Sequence, residues 1–223
     1  MAAEFKGHRY KKSIILLCIR WYLRYPMSYR QLEEMMAERG IEVDHSTLAR
    51  WVLKFTPQLE YEFRKKKKPI GNSWKWDEMT LKIKGKFYWL YRAVDSDGDT
   101  IDFLLSKKRD LKAALRFLKK AVRQHGVPSR ITADKSGANA AGLKELNRQI
   151  GRRIKLRQNK YLNNIVEQSH RLIRRMTRPM MGFQNFWSSR TTISGIEMVN
   201  MIYRGQMKNS GESAAKQFSN LAA

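Results

Sequence analysis

Acidic residues are scarce in this chain, 20 against 45 lysines and arginines, so an acid in an apolar setting stands out. Asp77 lies within Trp74-Lys75-Trp76-Asp77-Glu78, Asp134 closes Ile131-Thr132-Ala133-Asp134, and Glu167 lies in Asn163-Asn164-Ile165-Val166-Glu167-Gln168. Gathered at one point, three carboxylates repel one another and raise their own pKa values. Two hard divalent cations, Mg²⁺ or Mn²⁺, relieve that repulsion. Such a pair, about 4 Å apart, can activate an attacking oxygen and stabilise the leaving oxygen of an in-line phosphoryl transfer. Singly, each acid has an ordinary account. Asp134 can form a turn, Asp77 can be a half-exposed strand residue, and Glu167 can pair with Arg171 one helical turn on. The chemistry requires all three together.

The elements around these acids give them a way to meet. Residues 74–83, 86–94 and 100–105 have strand composition, separated by Gly85 and by Ser96-Asp97-Gly98-Asp99. A helix over 111–124 ends at Gly126 and Pro128. A strand over 130–133, a helix over 143–150, a strand over 154–156 and a helix over 163–176 follow. This is the element order of a ribonuclease-H-like fold of the α/β class, a mixed five-stranded sheet flanked by helices. In that sheet the first and fourth strands are neighbours, and the later helix approaches the middle of the first. Asp95, Asp97 and Asp99 imitate the opening of a calcium loop, but the twelfth position is Ser106, so a hairpin turn is expected there.

Residues 13–56 read as three helices. The first stops before Pro26. The second opens with Ser28-Tyr29-Arg30-Gln31, a capping box, and ends at Gly40. The third begins at Asp44 or Ser46, repeats Leu48, Trp51, Val52 and Phe55 at helical spacing, and is expected to end at Pro57. Its other face carries Ser46, Thr47, Arg50 and Lys54, so the pair reads as an N-terminal all-α helix-turn-helix domain. A plain helical bundle has the same pattern. The formal charge of +25 and the pI near 10.4 favour the DNA reader, because a polyanion is the natural partner. The basic run holding Lys65, Lys66 and Lys67 reads as a phosphate-contacting linker. The expected layout is 1–60 helix-turn-helix, 61–72 linker, 73–178 catalytic core, and 179–223 a C-terminal helical segment whose last dozen residues fray.

Composition excludes other classes. Aromatics at 11% and hydrophobic residues at 42% rule out wholesale disorder. Cys18 is the single cysteine, which removes internal disulfides and cysteine zinc sites. No stretch reaches the ~18 apolar residues of a membrane span, and no secretory signal core opens the chain. A soluble, intracellular protein without a membrane partner is expected.

The segments Arg20-Trp21-Tyr22-Leu23-Arg24-Tyr25, Ser28-Tyr29-Arg30, Asp44 to Val52, Leu90 to Asp95, and Lys160 to Asn164 with Glu167 and His170-Arg171 carry a resemblance. The chain resembles the DDE transposases of bacterial insertion sequences, most closely the insertion-sequence-six family, from about Arg20 to about Met207. The Asn-Asn-x-x-Glu-x-x-His-Arg block is its most specific part. The resemblance implies that Asp77, Asp134 and Glu167 are the DDE triad, at intervals of 57 and 33 residues, holding two Mg²⁺ or Mn²⁺ ions. It implies that Arg174 fills the basic position of the signature and grips terminal DNA. Asn163 and Arg171 of the same block are expected at the DNA, and His170 there or in a structural role, since two-metal chemistry needs no general base. It further implies a homodimer or higher homo-oligomer acting on terminal inverted repeats and target DNA, forming cointegrates, in a bacterial, nucleoid-associated setting. Lys75, Met79 and Ser169 depart from the residues usual there. The rival reading is an inactive DNA-binding regulator or decayed copy, against which stands the retention of all three acids.

Overall fold

A computed structural model of the chain describes residues 5, 9–134, 136–158, 164–180, 182–208 and 211–223, with the side chains of 164–169 outside the description. Two compact units emerge, one of residues 69–172 and one that joins residues 1–68 to 173–223.

The 69–172 unit is built on β1 (Ser73–Ile83), β2 (Lys86–Val94), β3 (Thr100–Ser106), β4 (Arg130–Ala133) and β5 (Lys155–Gln158), in sheet order β3-β2-β1-β4-β5. The first three strands form an antiparallel meander, and β4 and β5 add parallel to β1. The mixed sheet and its order match the expected ribonuclease-H-like fold. Helices α4 (Leu111–His125) and α5 (Gly137–Ile150) pack on one another. Beneath them Trp76, Tyr91 and Phe117 meet with ring centroids 5.7–6.3 Å apart. Helix α5 starts six residues earlier than its apolar stripe indicated, because Asn139 and Gly142, neither of them apolar in type, extend the buried row of Leu143 and Leu146 at helical spacing. Gly142 lets the two helices close up, since a Cβ there would lie 2.9 Å from the Ala114 Cβ.

The Asp95–Asp99 segment is a turn, as expected. The Asp95 carboxylate accepts from the backbone N–H groups of Asp97 (3.1 Å), Asp99 (2.9 Å) and Gly71 (2.9 Å). Its oxygens are occupied by the chain's own backbone, and Gly98 takes the positive φ that the turn needs.

The other unit holds α1 (Lys12–Arg24), α2 (Tyr29–Ala37), α3 (His45–Lys66), α7 (Phe186–Tyr203) and α8 (Ala214–Ser219). Between β5 and α7 in the chain, α6 (Asn164–Thr177) runs across the boundary of the two units. The capping box of α2 is present in both directions: the Ser28 N–H donates to Gln31 Oε1 (2.8 Å) and the Gln31 N–H to Ser28 Oγ (3.2 Å). Asp44 is the N-cap of α3, accepting from the N–H groups of Ser46 and Thr47.

Four expectations fail here. Helix α3 does not end at Pro57 but continues to Lys66, so residues 61–66 are helix, not linker. Pro57 is exposed, while Phe55, Leu59 and Phe63 continue one fully buried row, and that burial outweighs the single hydrogen bond that proline removes. The basic run is also largely paired. Arg64 meets Glu60, Lys65 meets Glu62 at 2.7 Å, and Lys66 donates to the Asn220 carbonyl. Lys67 is buried, and its backbone bridges Met207. The tail is not frayed either, because α8 and the turn after it bury Phe218 and Leu221. Finally, 179–223 is no separate segment: α7 is buried on nearly every face and packs on α1 and α3.

Candidate active site

Strand alternation and register bring two of the three acids together. Strands β1 and β4 run parallel with Trp76 opposite Ala133 as their last paired residues. Asp77 and Asp134 are the next residue of each strand, so they occupy adjacent positions despite 57 intervening steps of chain. The Asp77 carboxylate accepts from the Glu78 N–H (2.8 Å) and lies 3.8 Å from Nδ1 of buried His170 on α6. Glu167 lies in α6, three residues before His170 and so one helical turn away. Its side chain, and all of Asn163, fall outside the described residues.

Burial pushes the Asp77 carboxyl up from 3.8 to about 6, and the neighbouring charges of Glu78 and Asp134 add to this, against the Glu78 N–H and Arg109. The donors are all carboxylate oxygens, and their mutual repulsion leaves excess negative charge in a partly buried place. That is the environment a hard divalent cation fits. Asp77 and Asp134 would hold it.

A sign follows for stability. Asp77's folded pKa lies above its unfolded value, so its contribution is fully present below about pH 4 and is lost as pH rises through 6. The loss amounts to at most about 3 kcal/mol by pH 7.5. In EDTA, the melting temperature of wild type should therefore fall from pH 5 to 7.5 by roughly 5 °C more than that of Asp77→Asn. Mn²⁺ should raise it more at pH 7.5 than at pH 5. Parallel pH profiles for the two proteins would contradict this account of the carboxylate.

The structure adds residues the sequence did not single out. Glu78, one step from Asp77, is almost fully buried, and its carboxylate faces Arg109 at 3.5 Å. Burial raises its pKa, with Arg109 opposing. Its signal was present, as a second acid in the same apolar strand, whereas Arg109 arrives from the loop before α4 and gave none. Met79, the next residue of β1, is buried.

His170 packs against Asp77 inside the protein, which fits the structural one of its two expected roles and not the DNA contact. Arg171 and Arg174 of α6 are exposed, as are Ser46, Arg50 and Lys54 of α3, with Thr47 half-buried. Arg50 donates to Thr47 Oγ1 at 2.8 Å. Among the described residues the one group offering three ligand atoms within 4.8 Å is Glu33, Asp44 and His45. It lies where α2 meets the start of α3, far in sequence from Asp77, Asp134 and Glu167. There His45 Nδ1 meets Glu33 Oε2 at 2.9 Å, which ties α2 to the start of α3. Cys18 is buried, and burial pushes its thiol up to about 12, so it is inert.

A mixed sheet of this order, with one acid inside its central strand and another just past the end of the neighbouring strand, defines a ribonuclease-H-like phosphoryl-transfer domain. The DDE domain of the IS240-type transposases matches residues 71–206. The chain is 37% identical over 206 residues to the transposase for insertion sequence-like element IS431mec of Staphylococcus aureus, covering 90% of this chain and 88% of the relative. It is 36% identical, over the same shares, to the transposase for insertion sequence element IS257 in transposon Tn4003 of Staphylococcus aureus. This chain belongs to the DDE transposases of the insertion-sequence-six family and is a polynucleotidyl transferase. Among solved structures, the HTLV-2 integrase catalytic core in complex with magnesium gives a TM-score of 0.47 at 18% identity, covering 67% of this chain and 97% of that one. A simian T-cell lymphotropic virus intasome chain gives 0.49 at 17%, covering 69% and 56%. Among the described residues no helix is long and apolar enough to cross a membrane.

Proposed function

We propose that this transposase binds the terminal inverted repeats of its insertion sequence, nicks the element's 3′ ends, and joins them to target DNA, forming cointegrates. The observation that supports it most is the β1–β4 register, which sets Asp77 beside Asp134 with α6, the helix of Glu167, against Asp77 at His170. Two divalent ions, when bound by Asp77, Asp134 and Glu167, would supply Lewis-acid stabilisation to the attacking and leaving oxygens. The protein's own part is positional. Buried His170 backs the Asp77 carboxylate, the Glu78 N–H fixes one of its oxygens, and the sheet holds Asp134 alongside. Water would attack the phosphodiester at the element's end, one P–O bond forming as another breaks and leaving a free 3′-hydroxyl. That hydroxyl would displace a strand of target DNA at the same acids. One phosphodiester replaces another, so no nucleotide hydrolysis is needed.

End recognition falls to α3, whose Ser46, Thr47, Arg50 and Lys54 face a major groove. Arg171 and Arg174 on α6 would grip terminal DNA near the reacting phosphate, with Asn163 before them. Two ends must be brought together, so the working form is a homodimer or higher homo-oligomer in the bacterial cytoplasm, at the nucleoid. Arg50→Ala should weaken binding to repeat DNA by roughly 10- to 100-fold and barely change binding to unrelated duplex. Equal losses on both DNAs would remove α3 from sequence reading. The direct test is nicking of DNA carrying the flanking repeat in Mg²⁺ or Mn²⁺. Specific binding without any nicking would leave a DNA-binding regulator.

A further inference from the structure

A cleft of about 860 Å³ opens on the outer edge of the sheet, between α5 and strands β4 and β5. Five of its lining residues are cations, Arg130, Lys144, Arg153, Lys155 and Arg157, and none is an acid. All five are exposed. They come from two strands, a helix and the loop before β5. An edge strand protected from aggregation needs only its own lysines, and this arrangement is concave and drawn from four segments. Glu145 of α5 does not neutralise it, being bound to Arg148 and Gln149.

The neutral polar groups of the cleft are already engaged. Asn147 bonds both the N–H and the carbonyl of Ile154, and Ser129 donates to the Asn72 carbonyl. Little is left to read a base edge or the shape of a small ligand, and what remains is positive charge spread along a groove. The groove also has a direction. Arg130 pairs with Lys155 at its far end, and Arg157 lies opposite Thr132, two residues short of Asp134. At strand rise that is about 7 Å from the level of the catalytic acid.

We infer that this cleft binds the phosphate backbone of duplex DNA without regard to sequence, as a track for target DNA leading to Asp134. The inference rests on the strand-transfer reading above. Contacts made by lysine and arginine to phosphates release counterions, at about 0.9 in log–log salt slope per phosphate.

The test is the triple variant R153Q/K155Q/R157Q, whose side chains are exposed and whose melting temperature should match wild type. Binding is measured in EDTA across a salt series, on a duplex lacking the repeat and on repeat DNA. The salt slope on unrelated duplex should fall by about 2 to 3. In Mg²⁺, joining to a target plasmid should drop at least 10-fold near physiological salt, while nicking of saturating repeat DNA persists. An unchanged slope overturns the inference. So does a loss confined to repeat DNA, which would make the cleft an end reader. A wild-type protein that never joins DNA would defeat the strand-transfer reading instead, and the slopes, measured without metal, would still decide whether the cleft holds duplex.

Discussion

Asp77→Asn and Asp134→Ala should each lower strand cleavage by roughly 10³-fold or more, with affinity for repeat DNA unchanged. The magnitude follows from the several kcal/mol of charge stabilisation that such a site supplies. Selectivity follows from the fold. Both acids belong to the 69–172 unit, whereas the α3 residues proposed to read the repeat belong to the other. Asp77→Asn is nearly isosteric and keeps an oxygen for the Glu78 N–H. It also removes a carboxylate whose charge is disfavoured by burial, so the fold should be no less stable. Cleavage rates and gel-shift affinities measured on the same preparations check this. Wild-type cleavage by Asp77→Asn in Mg²⁺ would remove Asp77 from the chemistry.

The second large effect is structural. Gly195 sits in the middle of α7, where a Cβ would lie 2.6 and 2.7 Å from the two Leu23 methyls and 2.8 Å from Thr56 Cγ2. Those residues belong to α1 and α3 and are buried, so three helices meet at the missing side chain. A methyl group there overpacks the contact, at about 1–3 kcal/mol, even though alanine favours helix over glycine by about 1 kcal/mol. Gly195→Ala should lower the melting temperature by roughly 5 °C. Gly195→Leu should do far more, unfolding the helical unit near growth temperature and abolishing repeat binding. Thermal denaturation followed by circular dichroism measures both. A variant as stable as wild type would show that the helices can part without cost.

These two sites differ in how far the sequence disclosed them. Asp77 and Asp134 were legible because acids are rare here and one sits inside, the other just after, a run of strand residues. Their adjacency followed once the strand order was read. The N-caps were legible because Ser28 with Gln31, and Asp44, are local chemistry. Gly195 was not, because a glycine inside Ile193-Ser194-Gly195-Ile196 carries no sign of which helices press on it. The same limit explains α7 itself. A helix apolar on most faces announces burial without naming its partner, and α7 completes a core begun by α1, whose first residue lies 186 − 12 = 174 positions earlier in the chain. Pro57 misled because proline usually ends helices, while the Phe55, Leu59, Phe63 row that overrides it continues beyond. Lys67 looked like a DNA contact by type and His170 like either that or a structural residue, and tertiary packing buries both. The basic cleft combines residues from four segments and had no linear signature.

Strand transfer tests the central claim most directly. Purified protein would be mixed with labelled DNA carrying the flanking inverted repeat, a target plasmid and Mg²⁺, beside the Asp134→Ala variant and an EDTA control. Metal-dependent joined product from wild type, absent from the variant and from EDTA, is the predicted result. Joined product of equal yield from Asp134→Ala would contradict it, because the acid that β4 places beside Asp77 would then have no part in the reaction.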